Sequence, residues 1–347
     1  MTKNIYIIIG VLLISTVGLV MYEKAPEQKS IYVVSMTADE MSTSLKNGSI
    51  DGFISWEPYP AKFVMDGYGK YLLNSKDIWK NHPSCVLAIS PDLMDEDMVN
   101  ALVWVHLKST RFINDPSNRE KVLQYGMDFS GLDRKIVSAA INNTVYIEYP
   151  DMEQIKKGIE IATIAGVFKN SIDSLGYKDV DEFLDNLFFE RYYNETRLKL
   201  EKDPEWSPPL VNGNISFGYI EGNIHYLAMY IAQKEGYFEK VGLVPGKNIQ
   251  FTGYRSGRAI TEAFKHREVD VATLGSTVLL RYRINDNGRV RVISGINSGG
   301  SSLVVGANSS FQSIDDLNGH KIATPGFGTC QDTLIRKMFE GFEIKTI

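Results

Sequence analysis

Two segments of the chain share one layout, and this repeat is the strongest constraint on how the chain can fold. The first is LKNGSIDGFISWE at residues 45–57, and the second is FKHREVDVATLGS at residues 264–276. In each, a helix-like stretch leads to a β-branched residue and Asp, then to a short apolar run with a polar tip. A short apolar run bounded by turn residues is typical of a buried strand. The repeat therefore predicts two similar lobes whose strand ends face each other.

The rest of the chain alternates between strand and helix patterns. Strands are predicted at IYVVSM, DGFISW, SCVLAIS, ISFGYI, NIQFTGY, VDVATL, RVRVISGI, SSLVVGA and HKIATP. Helix patterns separate most of them: FVMDGY is predicted to begin a helix, and residues 91–202 are mostly helical. Strands alternating with helices imply mainly parallel sheets flanked by helices. The sequence therefore predicts an α/β fold, with a linker at residues 203–214 where Pro, Asn and Gly break every pattern.

Charge and the placement of reactive side chains exclude several classes of protein. The net charge of −5 and the lack of a long Lys/Arg block argue against nucleic-acid binding. None of the five histidines stands at metal-ligand spacing from another His or Cys, and no P-loop motif occurs. Cys85 and Cys330 form no CxxC motif, so each is interpreted as a structural thiol, with a disulfide between them left open. No metal and no cofactor are predicted.

The N-terminal region predicts a membrane anchor, with the rest of the chain outside the cytoplasm. Lys3 precedes IYIIIGVLLISTVGLVM at residues 5–21, an uncharged apolar run just long enough to span a bilayer, which takes about 20 residues. No A-x-A cleavage site follows, which favours an uncleaved anchor over a cleaved signal. Positive charge before the run would leave residue 25 onward outside the cytoplasm. We therefore expect the extracytoplasmic face of the cell membrane, or secretion if the segment is cleaved.

Candidate ligand-binding residues follow the predicted strands. In α/β sheets, ligands bind beyond the carboxyl ends of the strands, where free backbone N–H groups hold anions or polar groups. Five strand-to-helix turns occupy this position, and most are rich in Gly, Ser or Thr. They contain ten candidate ligand-binding residues: Trp56, Glu57, Asn223, His225, Arg258, Gly275, Ser276, Thr277, Gly328 and Thr329.

Each candidate also suits a structural role. Trp56 fits the core as well as a cleft, and Glu57 fits a solvated turn as well as a contact with a ligand donor. Arg258 either stays solvated or pairs with a carboxylate or sulfonate, and the turn hydroxyls are also good helix caps. The repeated acids Asp51 and Asp270 precede their strands, away from the carboxyl ends, so they are interpreted as structural.

Several segments together resemble one family. LNGHKIATPGFGTCQD resembles the entry to the second lobe of the solute-binding proteins of ABC importers, and HYLAMYIAQKEGYFEKVGL resembles their first helix. The two repeated segments resemble their paired helix–strand units. The combination is similar to the nitrate, sulfonate, taurine and thiamine-precursor branch, which has the type 2 periplasmic-binding-protein fold. The resemblance implies two lobes that close on a small polar or anionic solute, with an ABC permease and ATPase as partners.

The order of the segments departs from that of the family. ISFGYIEGNIHY should open the domain but begins at residue 215, whereas the second-lobe segment IYVVSM begins at residue 31. The chain therefore resembles a circular permutant, and a truncated or frame-shifted reading frame or a swapped dimer are the alternatives. The permuted order predicts that Ile347 lies within roughly 15 Å of Ile31 and that the tail supplies the loop entering that strand.

The resemblance also implies divisions of the chain. They are a membrane anchor or signal segment at residues 1–25, second-lobe segments at 31–90 and 300–347, first-lobe segments at 91–202 and 215–299, and the linker at 203–214. The run SGGSS at residues 298–302 is the expected hinge between the lobes.

Enzymes on the same fold are the main alternative function. The yeast pyrimidine synthase of thiamine synthesis and the menaquinone-pathway enzymes resemble these binders, but they are cytosolic, and the synthase's cysteine cluster has no counterpart here. GYRSG places Ser256 one position late for a G-x-S-x-G nucleophile motif. A sensory or adaptor domain presented on a membrane is a further alternative. We therefore expect a solute-binding protein and not an enzyme.

Overall fold

The computed structural model describes residues 28–93 and 95–347. The apolar run at residues 5–21, and with it the expected anchor, lies outside this part of the chain. Among the residues that are described, none of the helices combines the length and the apolar character needed to cross a membrane.

Strands and helices alternate along most of the described chain. The strands are β1 (Ser30–Ser35), β2 (Gly52–Trp56), β3 (Gly69–Asn74), β4 (Pro83–Ile89), β5 (Thr144–Tyr146), β6 (Ile215–Ile220), β7 (Ile249–Tyr254), β8 (Val271–Gly275), β9 (Arg291–Gly299), β10 (Ser301–Gly306), β11 (Lys321–Thr324) and β12 (Glu343–Thr346). The helices are α1 (Ala38–Lys46), α2 (Tyr59–Met65), α3 (Ser75–Ile78), α4 (Glu96–Asn114), α5 (Arg119–Ser130), α6 (Arg134–Asn143), α7 (Met152–Ile164), α8 (Val180–Leu187), α9 (Glu190–Lys202), α10 (Leu227–Lys234), α11 (Gly257–Lys265), α12 (Ser276–Asn285) and α13 (Cys330–Met338). Every strand predicted from the sequence is present, and β3, β5 and β12 are additional.

The strands form two six-stranded sheets with related topology. The second-lobe sheet has the order β12-β1-β11-β2-β10-β3, and the first-lobe sheet has the order β7-β6-β8-β4-β9-β5. In each, most strands run in one direction; the strands of opposite direction are β10 in the second lobe, and β4 and the edge strand β5 in the first. The predicted two-lobed α/β fold is therefore confirmed.

The chain passes between the sheets at two places. One passage runs from β3 through α3 to β4, and the other is the single residue Gly300 between β9 and β10. The second passage lies inside the run at residues 298–302 that was expected to be the hinge. The expected second-lobe segment at 31–90 is too long, because β4 pairs with β8 and β9 in the first-lobe sheet. The second-lobe strands of this segment end at residue 74.

The apolar core explains why β4 belongs to the first lobe. All seven residues of this strand are buried, because it lies in the middle of the sheet with helices packed against it. Its side chains share one cluster with the buried face of α4, which includes Val99, Leu102 and Leu107. A strand buried on both faces is a nearly continuous apolar run, as SCVLAIS is.

The C-terminal tail completes the second-lobe sheet. The β12 strand runs parallel to β1, with Ile344 opposite Ile31, and the backbone N–H of Ile347 donates to Val33 O at 3.0 Å. The predicted closeness of Ile347 to Ile31 is confirmed. The expectation that the tail supplies only the loop entering β1 is wrong, because the tail forms an edge strand of its own.

The linker at residues 203–214 is mostly exposed but is held to the first lobe by hydrogen bonds, among them one from Lys108 Nζ to Pro204 O at 2.9 Å. Trp104 Nε1 donates to Trp206 O at 2.7 Å, and the backbone N–H of Val211 donates to Val241 O at 2.9 Å. These contacts fix the path of the chain from α9 into β6.

Candidate functional site

A cavity of about 620 Å³ lies between the two lobes, at the carboxyl ends of β2, β8 and β11. We call it the cleft cavity. Seven of the ten predicted site residues line it: Trp56, Asn223, His225, Arg258, Gly275, Gly328 and Thr329. The other three, Glu57, Ser276 and Thr277, do not line it. The structure thus brings most of the candidates from both lobes together, and their contact with a ligand stays a prediction.

Trp56 ends β2 at the wall of the cleft cavity. Its side chain is half-buried, and its Nε1 atom is buried without a hydrogen-bond partner in the described chain. The ring packs edge-on against Tyr59, with 5.8 Å between the ring centroids. An indole N–H usually finds a partner when it is buried. The position therefore offers an aromatic surface to an occupant of the cavity, whereas the Nε1 atom is not accessible at the cavity surface.

Glu57 turns away from the cavity, into the junction between the lobes. It is fully buried and accepts hydrogen bonds from the backbone N–H of Ala61 at 3.0 Å and from Asn143 Nδ2 at 2.9 Å. Burial raises the pKa of this carboxyl to about 7, and the hydrogen bonds offset part of that shift. The expected contact with a ligand has no support in this position, because the carboxyl is already enclosed by protein groups.

Asn223 and His225 lie at the turn after β6. The Oδ1 atom of Asn223 accepts from the backbone N–H of His225 at 3.1 Å, so the asparagine caps a short 3₁₀ turn. Burial lowers the pKa of His225 to about 4, so the ring is neutral near pH 7. Its Nε2 donates to Gly300 O at 2.7 Å. His225 therefore ties the cavity wall to the residue where the chain crosses between lobes.

Gly300 has little room for any other residue type. Its φ of 76° lies in the left-handed region, and a Cβ atom there would overlap His225 Nε2. Glycine adopts this conformation without the steric cost that other residues incur. The crossing point is therefore fixed by both backbone conformation and close packing.

Ser276 and Thr277 begin α12 behind the cavity wall. Ser276 Oγ donates to Pro83 O at 3.0 Å, and Thr277 Oγ1 lies 3.4 Å from Thr333 Oγ1 on α13. Both side chains are buried. Their hydroxyls are used within the protein, so the structure places them in packing between α12, β4 and α13 and not at the cavity surface.

The loop before α13 forms the second-lobe wall. Thr329 caps the helix, because its Oγ1 accepts from the backbone N–H of Asp332 at 3.2 Å and donates to Gly326 O at 2.7 Å. The backbone N–H of Gly328 donates to Asp332 Oδ2 at 2.8 Å. A Cβ atom on Gly328 would lie 3.3 Å from Arg281 Nη1 of the first lobe. The two lobes are therefore close together at this loop.

Most of the charged side chains that line the cavity without an ion-pair partner in the described ranges are cationic. Lys169, Arg258 and Arg281 line the cavity, and none forms an ion pair with another residue in the described ranges. Of the two lining acids, Glu262 lies 3.7 Å from Lys265 Nζ, whereas Asp286 forms no ion pair with a residue that the structure describes. Lys169 and Arg281 were missed from the sequence, because no motif surrounds either residue.

Metal binding finds no support within residues 28–93 and 95–347, where no group of three or more His, Cys, Asp or Glu side chains is arranged to hold an ion. Cys85 and Cys330 are both free thiols and both buried. They line the cleft cavity from opposite lobes.

Comparison with known proteins identifies two matching family models. The NMT1-like family model matches residues 13–126, and the model described as NMT1/THI5 like matches residues 223–346. The second match begins at the turn after β6 and ends in β12, so it contains most of the cavity wall.

Curated relatives are named for anion transport. A putative aliphatic sulfonates-binding protein of Bacillus subtilis is 21% identical, over 48% of this chain and 49% of that protein. A nitrate/nitrite binding protein of Synechocystis is 22% identical, over 28% of this chain and 22% of that protein. A nitrate import ATP-binding protein of Synechocystis is 31% identical, over 29% of this chain. The chain spans about half of the first of these relatives, and 15% of the last.

Proposed function

We propose that the chain is a solute-binding protein of the nitrate and sulfonate branch and that it binds a small oxyanion, with an organic sulfonate as the best candidate, in the cleft cavity; the NMT1-like and NMT1/THI5-like family matches support the branch. Binding is reversible and without turnover. The observation that carries the proposal is the excess of unpaired cations at the cavity. Lys169, Arg258 and Arg281 line it without an ion pair to any described residue, against a single unpaired acid, Asp286.

The donors around the cavity suit a sulfonate. Arginine guanidinium groups bind planar or tetrahedral oxyanions through paired N–H···O bonds. Asn223 lines the cavity and uses its Oδ1 atom for capping, which leaves its amide nitrogen for an occupant. The half-buried Trp56 ring adds an apolar surface for an alkyl group.

The size of the cavity favours an organic anion over nitrate. A volume of about 620 Å³ equals that of about twenty waters at ~30 Å³ each. Nitrate alone would leave most of this space filled with water. An alkanesulfonate would bring apolar surface into contact with Trp56 and Ile220, which both line the cavity.

Titration calorimetry of the purified chain tests the proposal. The panel is ethanesulfonate, taurine, nitrate and an aminopyrimidine, at low and at physiological salt, and ethanesulfonate is expected to bind most tightly. Arg281→Ala should weaken its binding by about tenfold, as expected for a charged hydrogen bond worth ~1.4 kcal/mol. Arg289→Ala is the matched control, because Arg289 pairs with Asp92 on the surface and does not line the cavity.

Two outcomes would contradict the proposed function. Equal affinity of Arg281→Ala and the parent for ethanesulfonate would remove the charge argument. Formation of a new product from the bound solute over time would favour an enzyme on the same fold.

The importer setting is part of the proposal. We infer that the chain is presented at the extracytoplasmic face of a cell membrane by residues 5–21 and delivers its solute to an ABC permease and ATPase. The apolar run in the sequence and the import names of the relatives support this. Carbonate-resistant membrane association of the full chain, lost when residues 1–25 are removed, is the expected result. Recovery of the full chain in the soluble fraction with its N-terminus intact would contradict the anchor.

The permuted segment order is also proposed. It is supported by the pairing of β1 with both β11 and β12, which joins residues from the two ends of the described chain in one sheet. Cutting the linker at 203–214 and joining Ile347 to Ile31 through a short peptide should give a soluble monomer with the parent's affinity for ethanesulfonate. An insoluble or non-binding product would count against the permutant, and a parent chain that is dimeric by light scattering would favour the swapped dimer.

A further inference from the structure

Cys85 and Cys330 approach each other across the cleft. Cys85 lies in β4 of the first lobe, and Cys330 is the first residue of α13 in the second lobe. Cys330 Sγ donates to Ser84 O at 3.1 Å, so the second-lobe thiol touches the residue next to the first-lobe thiol. The thiols are the two cysteines of the whole sequence.

Strand pairing shows that the two sulfur atoms lie on the same side of the first-lobe sheet. Cys85 is directly opposite Gly275 in the antiparallel pair β4–β8. Side chains of directly opposed residues share one face, with Cβ atoms about 4.5–5.5 Å apart. A Cβ atom placed on Gly275 would lie 3.2 Å from Cys330 Sγ. Cys330 Sγ therefore occupies the space over Gly275 where a side chain would neighbour that of Cys85.

The absence of a side chain at Gly275 is what admits the second-lobe thiol. A larger residue there would displace Cys330, because the ideal Cβ position is already closer to Sγ than ordinary packing allows. Cys85 Sγ lies 3.6 Å from both His225 Nδ1 and Tyr226 Oη, and these neighbours enclose it on its own lobe. Both Cys85 and Cys330 line the cleft cavity.

We propose that Cys85 and Cys330 are a disulfide-forming pair that, when oxidised, holds the two lobes in the closed arrangement. A disulfide requires the two Cα atoms to lie about 4.4–6.8 Å apart, so the bond can exist only while α13 stays docked on β4. Its formation converts a non-covalent contact between the lobes into a covalent one that only reduction breaks. The formation of the bond stands independently of the proposed solute, and only its effect on solute exchange rests on the proposed function.

The chemistry is thiol–disulfide exchange with a small-molecule disulfide such as oxidised glutathione. Cys330, as thiolate, attacks one sulfur of the reagent, forms a mixed disulfide and releases one glutathione thiol. Cys85 then loses its proton and attacks Cys330 Sγ of the mixed disulfide, and the second glutathione thiol leaves. The two cysteines together lose two electrons and two protons, and the reagent gains them. Burial raises the pKa of Cys85 to about 12, so its thiol is a poor first nucleophile.

The experiment combines peptide mapping with hydrogen exchange on the full chain. Reduced protein is incubated with oxidised glutathione, blocked with a maleimide and digested without reductant. The expected product is a linked peptide pair containing Cys85 and Cys330, which dithiothreitol separates. Backbone amides at residues 326–331 should then exchange at least about tenfold more slowly than in the reduced protein, because the loop can no longer open with its lobe.

Controls separate the cross-link from simple modification. Cys330→Ser, treated with the same reagent, should form no linked pair and show no slower exchange. Cys85→Ala serves the same purpose if the serine variant does not fold. Only glutathione adducts on single cysteines, no reaction at all, or a linked pair without slower exchange would each overturn the proposal. Ethanesulfonate titration of the reduced chain is scored separately, so a failure to bind it would overturn the proposed function and leave the cross-link result intact.

Discussion

The two repeated units, β2 with its preceding helix and β8 with its preceding helix, begin alike and end differently. Just before each strand, the carboxylate of an aspartate accepts a hydrogen bond from the backbone of the neighbouring strand in the sheet. Asp51 Oδ2 accepts from the backbone N–H of Lys321 at 2.8 Å, and Asp270 Oδ2 accepts from that of Ser216 at 2.9 Å. These acids hold β2 beside β11 and β8 beside β6, so the interpretation of both as structural is confirmed.

The residues at the carboxyl ends of β2 and β8 differ in type and in what they contact. Trp56 and Glu57 occupy the same positions in the first copy as Gly275 and Ser276 in the second. Trp56 lines the cavity and Glu57 is enclosed at the junction between lobes, whereas Gly275 makes room for Cys330 and Ser276 binds Pro83 O. The repeat therefore supplies a common scaffold, and the site depends on how each copy departs from it.

The largest expected effect concerns Glu57. Its folded-state pKa of about 7 lies above the ordinary 4.5, so the folded protein binds a proton there that the unfolded chain has released, and stability falls as pH rises from about 4.5 to 7. Glu57→Gln removes this pH dependence, because glutamine does not ionise. The variant should match the parent at pH 5 and be more stable at pH 8, by up to about 3 kcal/mol in the free energy of unfolding.

Denaturant titrations of both proteins at each pH measure this difference. The buried histidines His82, His106 and His225, whose pKa values are lowered to about 4, have the opposite pH dependence, but it is common to both proteins and cancels in the comparison. Ser276→Ala, at the equivalent position of the other copy, should show a difference from the parent that does not change with pH. A constant difference for Glu57→Gln would show that Glu57 is ionised in the folded protein throughout.

A smaller effect, on ligand affinity, is expected at Trp56, the residue before Glu57. Trp56→Ala should weaken ethanesulfonate binding by about 1 kcal/mol or more, about fivefold or more in Kd, because the half-buried Trp56 side chain lines the cavity. Trp56→Phe keeps the aromatic contact and should recover part of the loss. Ser276→Ala should bind like the parent, since its hydroxyl is outside the cavity. Calorimetric titration of the three variants decides this, and parent-like affinity of Trp56→Ala would assign Trp56 to the core.

The smallest expected effect is a loss of stability on replacing the aspartate that both repeated units share. Asp51→Ala and Asp270→Ala each leave a strand N–H without its acceptor, which should cost about 1 kcal/mol of unfolding free energy in either lobe. The double variant should lose the sum, because the sites lie in different sheets. Denaturant titration measures all three. A loss at one acid only would mean that the two units are not equivalent as scaffolds.

Much of the fold follows from apolar runs that are long and buried. The strands predicted from the sequence lie inside sheets or pair along most of their length. The three that were missed are short or at edges: β5 has three residues, β12 has four, and β3 is mostly half-buried. β3 was also hidden because FVMDGY, which contains the end of α2, was predicted to begin a helix. Partial burial leaves too weak an alternation for an edge strand to be distinguished from a loop.

The site was less predictable because a turn's position does not fix the direction of its side chains. The sequence placed Trp56 and Glu57 in one turn, but only the structure shows that one lines the cavity and the other lies behind it. Lys169 and Arg281 reach the cavity from a loop after α7 and from α12. Their convergence depends on how distant segments pack, which no local pattern encodes. The pairing of Cys330 with Ser84 is hidden for the same reason.

The central claim is that the cleft cavity between the two lobes holds a small organic oxyanion. Crystals of the chain grown with 2-bromoethanesulfonate would locate the ligand through the anomalous scattering of bromine. The account predicts one bromine peak inside the cavity, near Trp56, with the sulfonate among the cations Arg258 and Arg281. A peak at any other site, with an empty cleft in protein that binds the compound in solution, would contradict it.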